Sequence, residues 1–280
     1  MDKEKLFEEL LGGKEVNIFT KMSLAKDPST PAKVLEKLAN DEDKWIRVEL
    51  AKNPNTPPEL LVMLADDEKY EVRLSAGRNP NTPENILIKL SQDESRVRTA
   101  VANNPSTPID ILEKLAFYDK DIYVREAAIT NSSIPVNVLE KLSQDENINI
   151  RGAVARNPKT PSNILEKLAN DKDMYVRKCV AENENTPSKI LDKLADDIFS
   201  GIRAEVGRNK NTSPETLSKL SNDEDWWVKS CVSSNPNTPS EIMDRLLQDK
   251  DILIRTKVAN ESENSNTSSS KQKKSVNPSM

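Results

Sequence analysis

Arginine and aspartate recur at fixed spacing along this chain of 280 residues, and they are the first side chains that suggest a chemistry. An arginine preceded by Val or Ile returns at a nearly constant interval, and an aspartate stands six residues before most of these arginines. A row of guanidinium groups suits the binding of phosphates. Because the aspartates are as regular as the arginines, the pattern favours a structural ladder, in which each guanidinium bonds to an aspartate of its own or a neighbouring repeat and to helix-end carbonyls. The predicted ladder consists of Asp41, Arg47, Asp67, Arg73, Asp119, Arg125, Asp145, Arg151, Asp171, Arg177, Asp197, Arg203, Asp249 and Arg255.

A second set of residues stands where the repeats differ from one another. Aromatic residues occur two positions before the ladder cation in four repeats, and arginines occur five positions after it in three. Rings interleaved with cations suit a groove that grips a peptide or a nucleic-acid backbone. The same residues also suit a structural role, since rings cover exposed joints and cations neutralise helix C-termini, and both interpretations stay open. The candidate binding residues are Trp45, Arg78, Tyr123, Arg156, Tyr175, Arg208 and Trp227.

Catalytic and metal-binding motifs are missing from the sequence. The chain has no histidine, which is the commonest general base and metal ligand at neutral pH. It has no HExxH motif, paired CxxC motif or glycine-rich phosphate loop. Its two cysteines, Cys179 and Cys231, lie two repeats apart, which is about 20 Å at 8–10 Å per helix layer and outside disulfide reach. The sequence therefore predicts a protein that is not an enzyme and holds no metal or cofactor.

The composition narrows the class of protein. With 4% aromatic and 31% charged residues, the chain suits an elongated array with a thin, repeated core better than one deep globular core. A net charge of -5 disfavours general coating of nucleic acid. The start of the chain is not a secretory signal, and no stretch approaches the roughly 20 apolar residues of a membrane span. We therefore expect a cytoplasmic protein without a membrane partner.

The stretch Asn-Pro-Asn-Thr-Pro marks the repeat. It begins at Asn53, Asn79 and Asn235, and close variants fill the gaps between these copies. The closing prolines and the arginines keep one common period, and both series show the same single short interval followed by a single long one. The shared period of about 26 residues is typical of solenoids. About nine repeats of two short helices are predicted.

One repeat shows how the motif joins two helices. Thr160 is predicted to cap the first helix, with Pro161 as its first residue. Either Asp171 or Asp173 suits the cap of the second helix. Asn183 is predicted to end that helix in the left-handed conformation. Helices this short do not persist alone, so stability must come from stacking repeat on repeat, with leucine pairs facing small residues. We expect a helical cap over 1–26, repeats over 27–260 and a disordered polar tail over 261–280.

The repeat resembles that of the leucine-rich repeat variant family and, more loosely, HEAT-like helical repeats. The resemblance rests on the pattern V/I-R-x-x-V-A-x-N-P-x-T-P-x-x-I-L-x-K-L-A-x-D, seen from Val97 to Pro105 and onward, and on the aspartate six residues before an arginine that HEAT-like repeats share. It implies an all-α, right-handed superhelix of short α and 3₁₀ helices. Family members can carry an N-terminal iron–sulfur cluster bound by cysteines. This chain has no cysteine before Cys179, so no cofactor is expected.

Three functions follow from these observations. The first is a non-enzymatic scaffold that binds another protein through the concave face, which second helices commonly line in such solenoids. The second is a nucleic-acid binder that uses Arg78, Arg156 and Arg208 as a local basic groove, as HEAT-like DNA glycosylases use a similar superhelix. The third is a factor associated with an enzyme, as in HEAT-like proteins that attach or detach chromophores, and it rests on fold-level analogy alone.

Overall fold

The computed structural model describes residues 3–260, and all regular structure among them is α-helical. The predicted all-α architecture of two-helix repeats is confirmed. The chain divides into two compact parts, which we call the N-terminal block (Met1–Leu142) and the C-terminal block (Ser143–Met280). The tail predicted over 261–280 lies outside the described residues.

Each repeat consists of a first helix, of seven residues in most repeats, and a second helix, of nine residues in most. No 3₁₀ helix occurs between residues 3 and 260. The N-terminal block contains α1 (Lys3–Leu11), α2 (Ile18–Lys26), α3 (Ala32–Leu38), α4 (Lys44–Lys52), α5 (Pro58–Leu64), α6 (Tyr70–Arg78), α7 (Glu84–Leu90), α8 (Ser95–Asn103), α9 (Ile109–Tyr118), α10 (Ile122–Thr130) and α11 (Val136–Leu142). The C-terminal block contains α12 (Ile148–Arg156), α13 (Ser162–Leu168), α14 (Met174–Glu182), α15 (Ser188–Leu194), α16 (Ser200–Arg208), α17 (Pro214–Leu220), α18 (Trp226–Ser233) and α19 (Ser240–Leu246), and residues 252–260 are also helical.

The core of each block is a thin layer between the two kinds of helix. Leu87 and Leu90 of α7 are fully buried, as are the equivalent leucines of the other first helices. Small residues of the second helices, such as Ala76, are buried with them. A Cβ atom added to Gly77 would lie 3.5 Å from the Leu90 side chain, in ordinary van der Waals contact, so Leu90 packs directly over this small residue. Second helices also pack on the second helices of adjacent repeats within each block. Burial between repeats therefore supplies the stability that these short helices lack.

The joint threonine does not cap the first helix, as the sequence had suggested for Thr160. Its hydroxyl donates instead to the carbonyl of Val154 at 2.5 Å, in the last turn of the preceding helix. The N-cap of α13 is Pro161, which offers no side-chain bond. The hydroxyl bonds to this buried carbonyl because the last carbonyls of a helix have no hydrogen-bond partner within the helix. The threonine therefore closes the helix before the joint.

The joint asparagine is not left-handed, so the prediction for Asn183 was wrong. Its φ and ψ angles are -70° and 119°, an extended conformation. This conformation directs the buried amide to the preceding repeat, where Nδ2 donates to the carbonyls of Ala155 at 2.7 Å and Asn157 at 3.1 Å. The Oδ1 atom accepts from the amide N–H of Asn185 at 2.8 Å. One side chain thus pairs two buried carbonyls and shapes the turn that follows it.

The same amide contacts recur along each block, and we call them the asparagine ladder. In every member, Nδ2 donates to two carbonyls of the repeat before it. The members are Asn53, Asn79, Asn104 and Asn131 in the N-terminal block and Asn183, Asn209 and Asn235 in the C-terminal block. The second asparagine of the motif also crosses between repeats, since Asn55 Nδ2 donates to the Pro28 carbonyl at 2.7 Å.

The turn between the two helices of a repeat uses its two aspartates differently. Asp173 caps α14 by accepting from the amide N–H of Tyr175 at 2.9 Å. Asp171 accepts from the amide N–H of Asp173 at 2.9 Å and pairs with Arg151 of the preceding repeat. The first aspartate therefore joins repeats, and the second starts a helix.

A ladder arginine donates hydrogen bonds to a carboxylate of the next repeat and to a backbone carbonyl of its own repeat. Arg73 Nε and Nη2 donate to the two carboxylate oxygens of Asp93 in the next repeat, at 2.6 and 2.9 Å. Its Nη1 donates to the carbonyl of Asp67 in its own repeat at 2.9 Å. Further cation–aspartate pairs of this kind are Lys21–Asp41, Arg47–Asp67, Arg98–Asp119, Arg151–Asp171, Arg177–Asp197, Arg203–Asp223 and Lys229–Asp249.

Three other members of the predicted ladder make carbonyl contacts. Arg125 Nε donates to the carbonyl of Ala116 at 2.8 Å. The carbonyl of Asp145 accepts from Arg151 Nη1 at 2.8 Å. Arg255 Nη1 donates to the carbonyl of Asp249 at 2.5 Å. Arg151 and Arg255 thus bond to the carbonyl of the aspartate six residues earlier, whereas Arg125 bonds to a carbonyl nine residues earlier.

One interval between repeats is a residue shorter than the others and the next is a residue longer, and each difference has a local structural cause. Before α8 the turn is one residue shorter, so Asp93 Oδ1 accepts from the adjacent Glu94 amide, whereas Asp67 Oδ1 accepts from Lys69, two residues on. In the next repeat α9 has ten residues instead of seven and ends at Tyr118. A deletion and an insertion in neighbouring repeats thus restore the period.

The asparagine ladder predicts a large effect of Asn79→Ala. The substitution leaves the buried carbonyls of Ala51 and Asn53 without their amide donor, so we expect the free energy of unfolding to fall by about 2–4 kcal/mol. Asn81→Ala removes an exposed amide that donates to the Pro54 carbonyl and should cost about 1 kcal/mol or less. Urea unfolding followed by circular dichroism measures both. Equal losses in the two variants would contradict the dominant role of the buried amide.

The arginine ladder predicts a loss of stability in acid. The hydrogen bond from Arg73 holds the pKa of Asp93 below its usual value of 3.8, although burial opposes this. A lowered pKa in the folded state means that the unfolded chain takes up the proton first. The contribution of this group to the unfolding free energy is therefore complete above about pH 5 and is lost as the pH falls through the folded-state pKa. Urea unfolding at several pH values should show a shallower acid loss in Arg73→Gln than in the wild type, and identical slopes would refute this origin.

Candidate functional site

The residues proposed to bind a partner all lie on second helices, at the two ends of each helix. Trp45, Tyr123 and Trp227 are exposed at the helix starts, and Tyr175 is half-buried. The three arginines stand at the last helical residue and are exposed. We call the surface formed by the second helices of a block its second-helix face. The candidate residues are Trp45, Arg78 and Tyr123 in the N-terminal block and Arg156, Tyr175, Arg208 and Trp227 in the C-terminal block.

The structure brings Arg156 and Tyr175 together across two adjacent repeats of the C-terminal block. The guanidinium carbon lies 5.0 Å from the ring centroid, and Nη1 donates to the Tyr175 hydroxyl at 2.8 Å. Its Nε donates to Glu182 at 3.3 Å. Gly152 makes room for the ring, because a Cβ atom there would lie 2.5 Å from Tyr175 Cε1. The ring is therefore held between a helix backbone and a cation.

Arg208 and Trp227 repeat this arrangement two repeats later. The guanidinium carbon lies 5.6 Å from the indole ring. Arg208 Nη1 donates to Glu205 Oε2 at 2.8 Å, and Nη2 donates to Cys231 Sγ at 3.4 Å. Trp226 meets Trp227 edge to face with ring centroids 5.6 Å apart. Both pairs join the end of one second helix to the start of the next.

The N-terminal block arranges its candidates differently. Lys44 Nζ lies 4.9 Å from the Trp45 ring, so this ring is paired with its sequence neighbour. Arg78 forms no hydrogen bond or ion pair with residues 3–260, and Tyr123 has 70% of its surface exposed. Sequence reasoning missed one pair here, because Arg96 Nη1 donates to the Tyr70 hydroxyl at 2.7 Å. The signal was available, since both residues stand at the variable start of second helices.

The two cysteines lie beneath these cation–ring pairs. Both are buried free thiols, which agrees with their expected separation. Burial raises the pKa of Cys179 to about 11, and the nearby Arg156 only partly offsets this. Burial likewise raises the pKa of Cys231. Because the thiolate is the reactive form, burial disfavours nucleophilic reactivity of both thiols.

A cleft of 200 Å³ is lined by the candidate residue Arg208 together with Glu182 and Glu205, whereas two larger clefts lie away from the candidate residues. One cleft of 880 Å³ lies where the repeat length changes, and its ladder cation Arg98 is engaged with Asp119. Another of 820 Å³ lies beside α1 and α3, where Lys21 is paired with Asp41. Within residues 3–260 no group of three or more Cys, Asp or Glu side chains is placed to hold a metal ion. Over the same residues no helix combines the length and the apolar character that crossing a bilayer requires. The cytoplasmic location stays a prediction.

Comparison with solved structures gives a match to a leucine-rich repeat variant with a novel repetitive structural motif. That protein is 26% identical to this chain, with a TM-score of 0.54, and the match covers 79% of this chain and 87% of that one. An archaeal HEAT-like repeats protein from Thermococcus onnurineus NA1 is 15% identical over 94% of this chain and 96% of its own, with a TM-score of 0.23. An engineered protein is 19% identical over 94% and 99%, with a TM-score of 0.36. No conclusion about this chain is based on these last two matches, because their TM-scores are low. Neither family models nor curated protein sequences give a match.

Three observations now agree on the class of protein. The sequence repeats at a nearly constant period with one exception in each direction, and each repeat folds into two short helices. The asparagine and arginine ladders join each repeat to the next within each block. The structural match covers most of both chains. The chain is an α-helical repeat protein that is similar in fold and in repeat to the solved leucine-rich repeat variant.

Proposed function

We propose that this protein is a non-enzymatic scaffold that binds another protein through its second-helix face. One observation carries the proposal. Rings stand at the same position of four repeats, and two of them, the half-buried Tyr175 and the exposed Trp227, are held in place by arginines of the preceding repeat. Fixed rings lose little entropy on binding, and aromatic residues with arginine are enriched at binding hot spots. The repeat fold supports the general role, because stacked repeats offer an extended surface.

The ladder arginines do not contribute to this surface. Arg177, for example, gives two donors to Asp197 and one to the carbonyl of Asp171. A guanidinium with three such bonds has little capacity left for a phosphate. The nucleic-acid alternative therefore rests on Arg78, Arg156 and Arg208 alone.

Affinity capture from a native lysate tests the proposal. We expect a stoichiometric partner to bind the wild type and to be lost when Trp45, Tyr123, Tyr175 and Trp227 are all replaced by alanine. A matched control replaces four exposed apolar residues of first helices by alanine, namely Val62, Ile88, Ile109 and Val136. Circular dichroism checks that both variants fold. Retention of the partner by the aromatic variant, or its loss from the control, would exclude the second-helix face.

A gentler change tests whether the orientation of a ring matters. In Gly152→Ala the new methyl group would collide with Tyr175 Cε1, so the ring must leave its place beneath Arg156. Alanine favours the helix over glycine by about 1 kcal/mol, so we expect the unfolding free energy to change by about 1 kcal/mol or less. Partner binding, measured by calorimetry with the captured protein, should nevertheless weaken by about tenfold if the ring is a hot spot. Unchanged affinity would show that the position of this ring is irrelevant.

A further inference from the structure

Ion pairs on the second-helix face of the C-terminal block expose their cations and cover their carboxylates. The side chains of Arg156, Lys178 and Arg208 are 43%, 41% and 50% exposed. Their partners Glu182 and Glu205 are only 29% and 14% exposed. Each carboxylate therefore lies beneath a cation that projects further into solvent.

Two exposed ion pairs elsewhere in the same block show the opposite order. Lys219 of the first helix α17 is 50% exposed, but its partner Asp196 is 70% exposed. At the joint, Lys210 is 56% exposed and Glu184 is 78% exposed. In the ion pairs of the second-helix face of this block the cation is thus the more exposed member, although the whole chain carries a net charge of -5. Field lines from the projecting cations favour an anionic partner there.

The spacing of these cations suggests the form of that partner. Arg156, Lys178 and Arg208 belong to α12, α14 and α16, which are consecutive second helices in contact. Packed helices lie about 8–10 Å apart. An extended peptide rises about 3.3 Å per residue, so carboxylates at every third residue are about 10 Å apart. Arg156 and Lys178 share the carboxylate of Glu182 at 3.3 and 3.4 Å, and Lys178 and Arg208 share that of Glu205 at 3.8 and 2.8 Å. Neighbouring cations therefore lie within roughly 9 Å of each other, a span that carboxylates at every third residue of an extended peptide can reach.

We propose that the second-helix face of the C-terminal block binds an extended acidic peptide segment, with carboxylates at every third residue that pair with Arg156, Lys178 and Arg208. This inference rests on the proposed scaffold function and names the chemistry of its partner. The covered carboxylates Glu182 and Glu205 hold the cations in position, so the acidic segment meets cations that are already ordered.

A single-stranded nucleic acid is a poorer fit to the same surface. Bases bind such proteins by stacking on free aromatic faces. Here the guanidinium groups of Arg156 and Arg208 lie over the rings of Tyr175 and Trp227. A base would have to displace a cation that is also hydrogen-bonded, whereas a carboxylate uses the cation where it stands.

Fluorescence anisotropy with the full chain tests this inference. The probe is a labelled dodecapeptide with glutamate at every third position and Gly or Ser elsewhere. A second peptide of the same composition has its glutamates in one run, and a thymidine dodecanucleotide serves as the nucleic-acid probe. We expect the spaced peptide to bind best and to weaken several-fold as ionic strength rises from about 0.05 to 0.3 M.

Two double variants locate the binding surface. Arg156→Gln with Arg208→Gln should weaken the spaced peptide by about tenfold, since two ion pairs are lost. Lys114→Gln with Lys219→Gln removes two cations of first helices and should leave the affinity unchanged. Lys178→Glu gives an independent check, because it reverses the middle charge without altering either cation–ring pair, and it should also weaken binding. Circular dichroism confirms folding in each case.

Absence of binding, equal affinity for the two peptides, tighter binding of the oligonucleotide, or equal losses in the two double variants would overturn the inference. The scaffold proposal fails separately. If the aromatic variant loses its captured partner while the spaced peptide does not bind, the scaffold stands and the acidic chemistry is rejected. If the captured partner is indifferent to the aromatic variant, the second-helix face itself is rejected.

Discussion

The buried amide of the joint asparagine is the contact on which the rest of the structure depends. Each second helix ends with carbonyls that have no partner in the helix, and the next segment of chain must turn away at once. Asn79 supplies both needs from one side chain, because its amide nitrogen pairs two carbonyls of the preceding repeat and its oxygen fixes the following turn. The amide bonds cannot form inside a single repeat. The local fold of each repeat is therefore completed by its neighbour.

The arginine ladder also joins each repeat to the next, at the turn between the two helices of a repeat. Arg177 takes a carbonyl from its own repeat and a carboxylate from the next, so each guanidinium spans two repeats. This arrangement uses the regularly spaced ladder arginines to hold neighbouring repeats together. On the second helices the exposed arginines lie outside this ladder, and Arg156 and Arg208 are positioned by rings and glutamates of the second helices.

Sequence reasoning recovered the repeat and its two helices because both depend on local spacing. The buried leucines, the arginine column and the aromatic positions all follow from one nearly constant period. It failed at Thr160 and Asn183. Thr160 was assigned to the helix after the joint, but its hydroxyl donates to the Val154 carbonyl of the helix before it. The Asn183 amide donates to carbonyls of the preceding repeat, which only the packed structure brings within reach. Likewise the partner of a ladder arginine lies 20 residues further along the chain in most repeats, a distance that no local spacing singles out.

By itself the sequence determined the class of this protein: short helices joined by a proline-rich motif, a core of leucine against alanine, and variable positions gathered on the second helix. The tertiary structure decided which polar side chains bond to neighbouring repeats inside the stack and which are exposed on its surface. Burial selects between these roles, since a polar group inside the stack must find a partner and a group at its surface need not. The first asparagine of the Asn-Pro-Asn-Thr-Pro motif thus became a connector between repeats, and the exposed order of cation over carboxylate on α12, α14 and α16 emerged only once the helices were packed side by side.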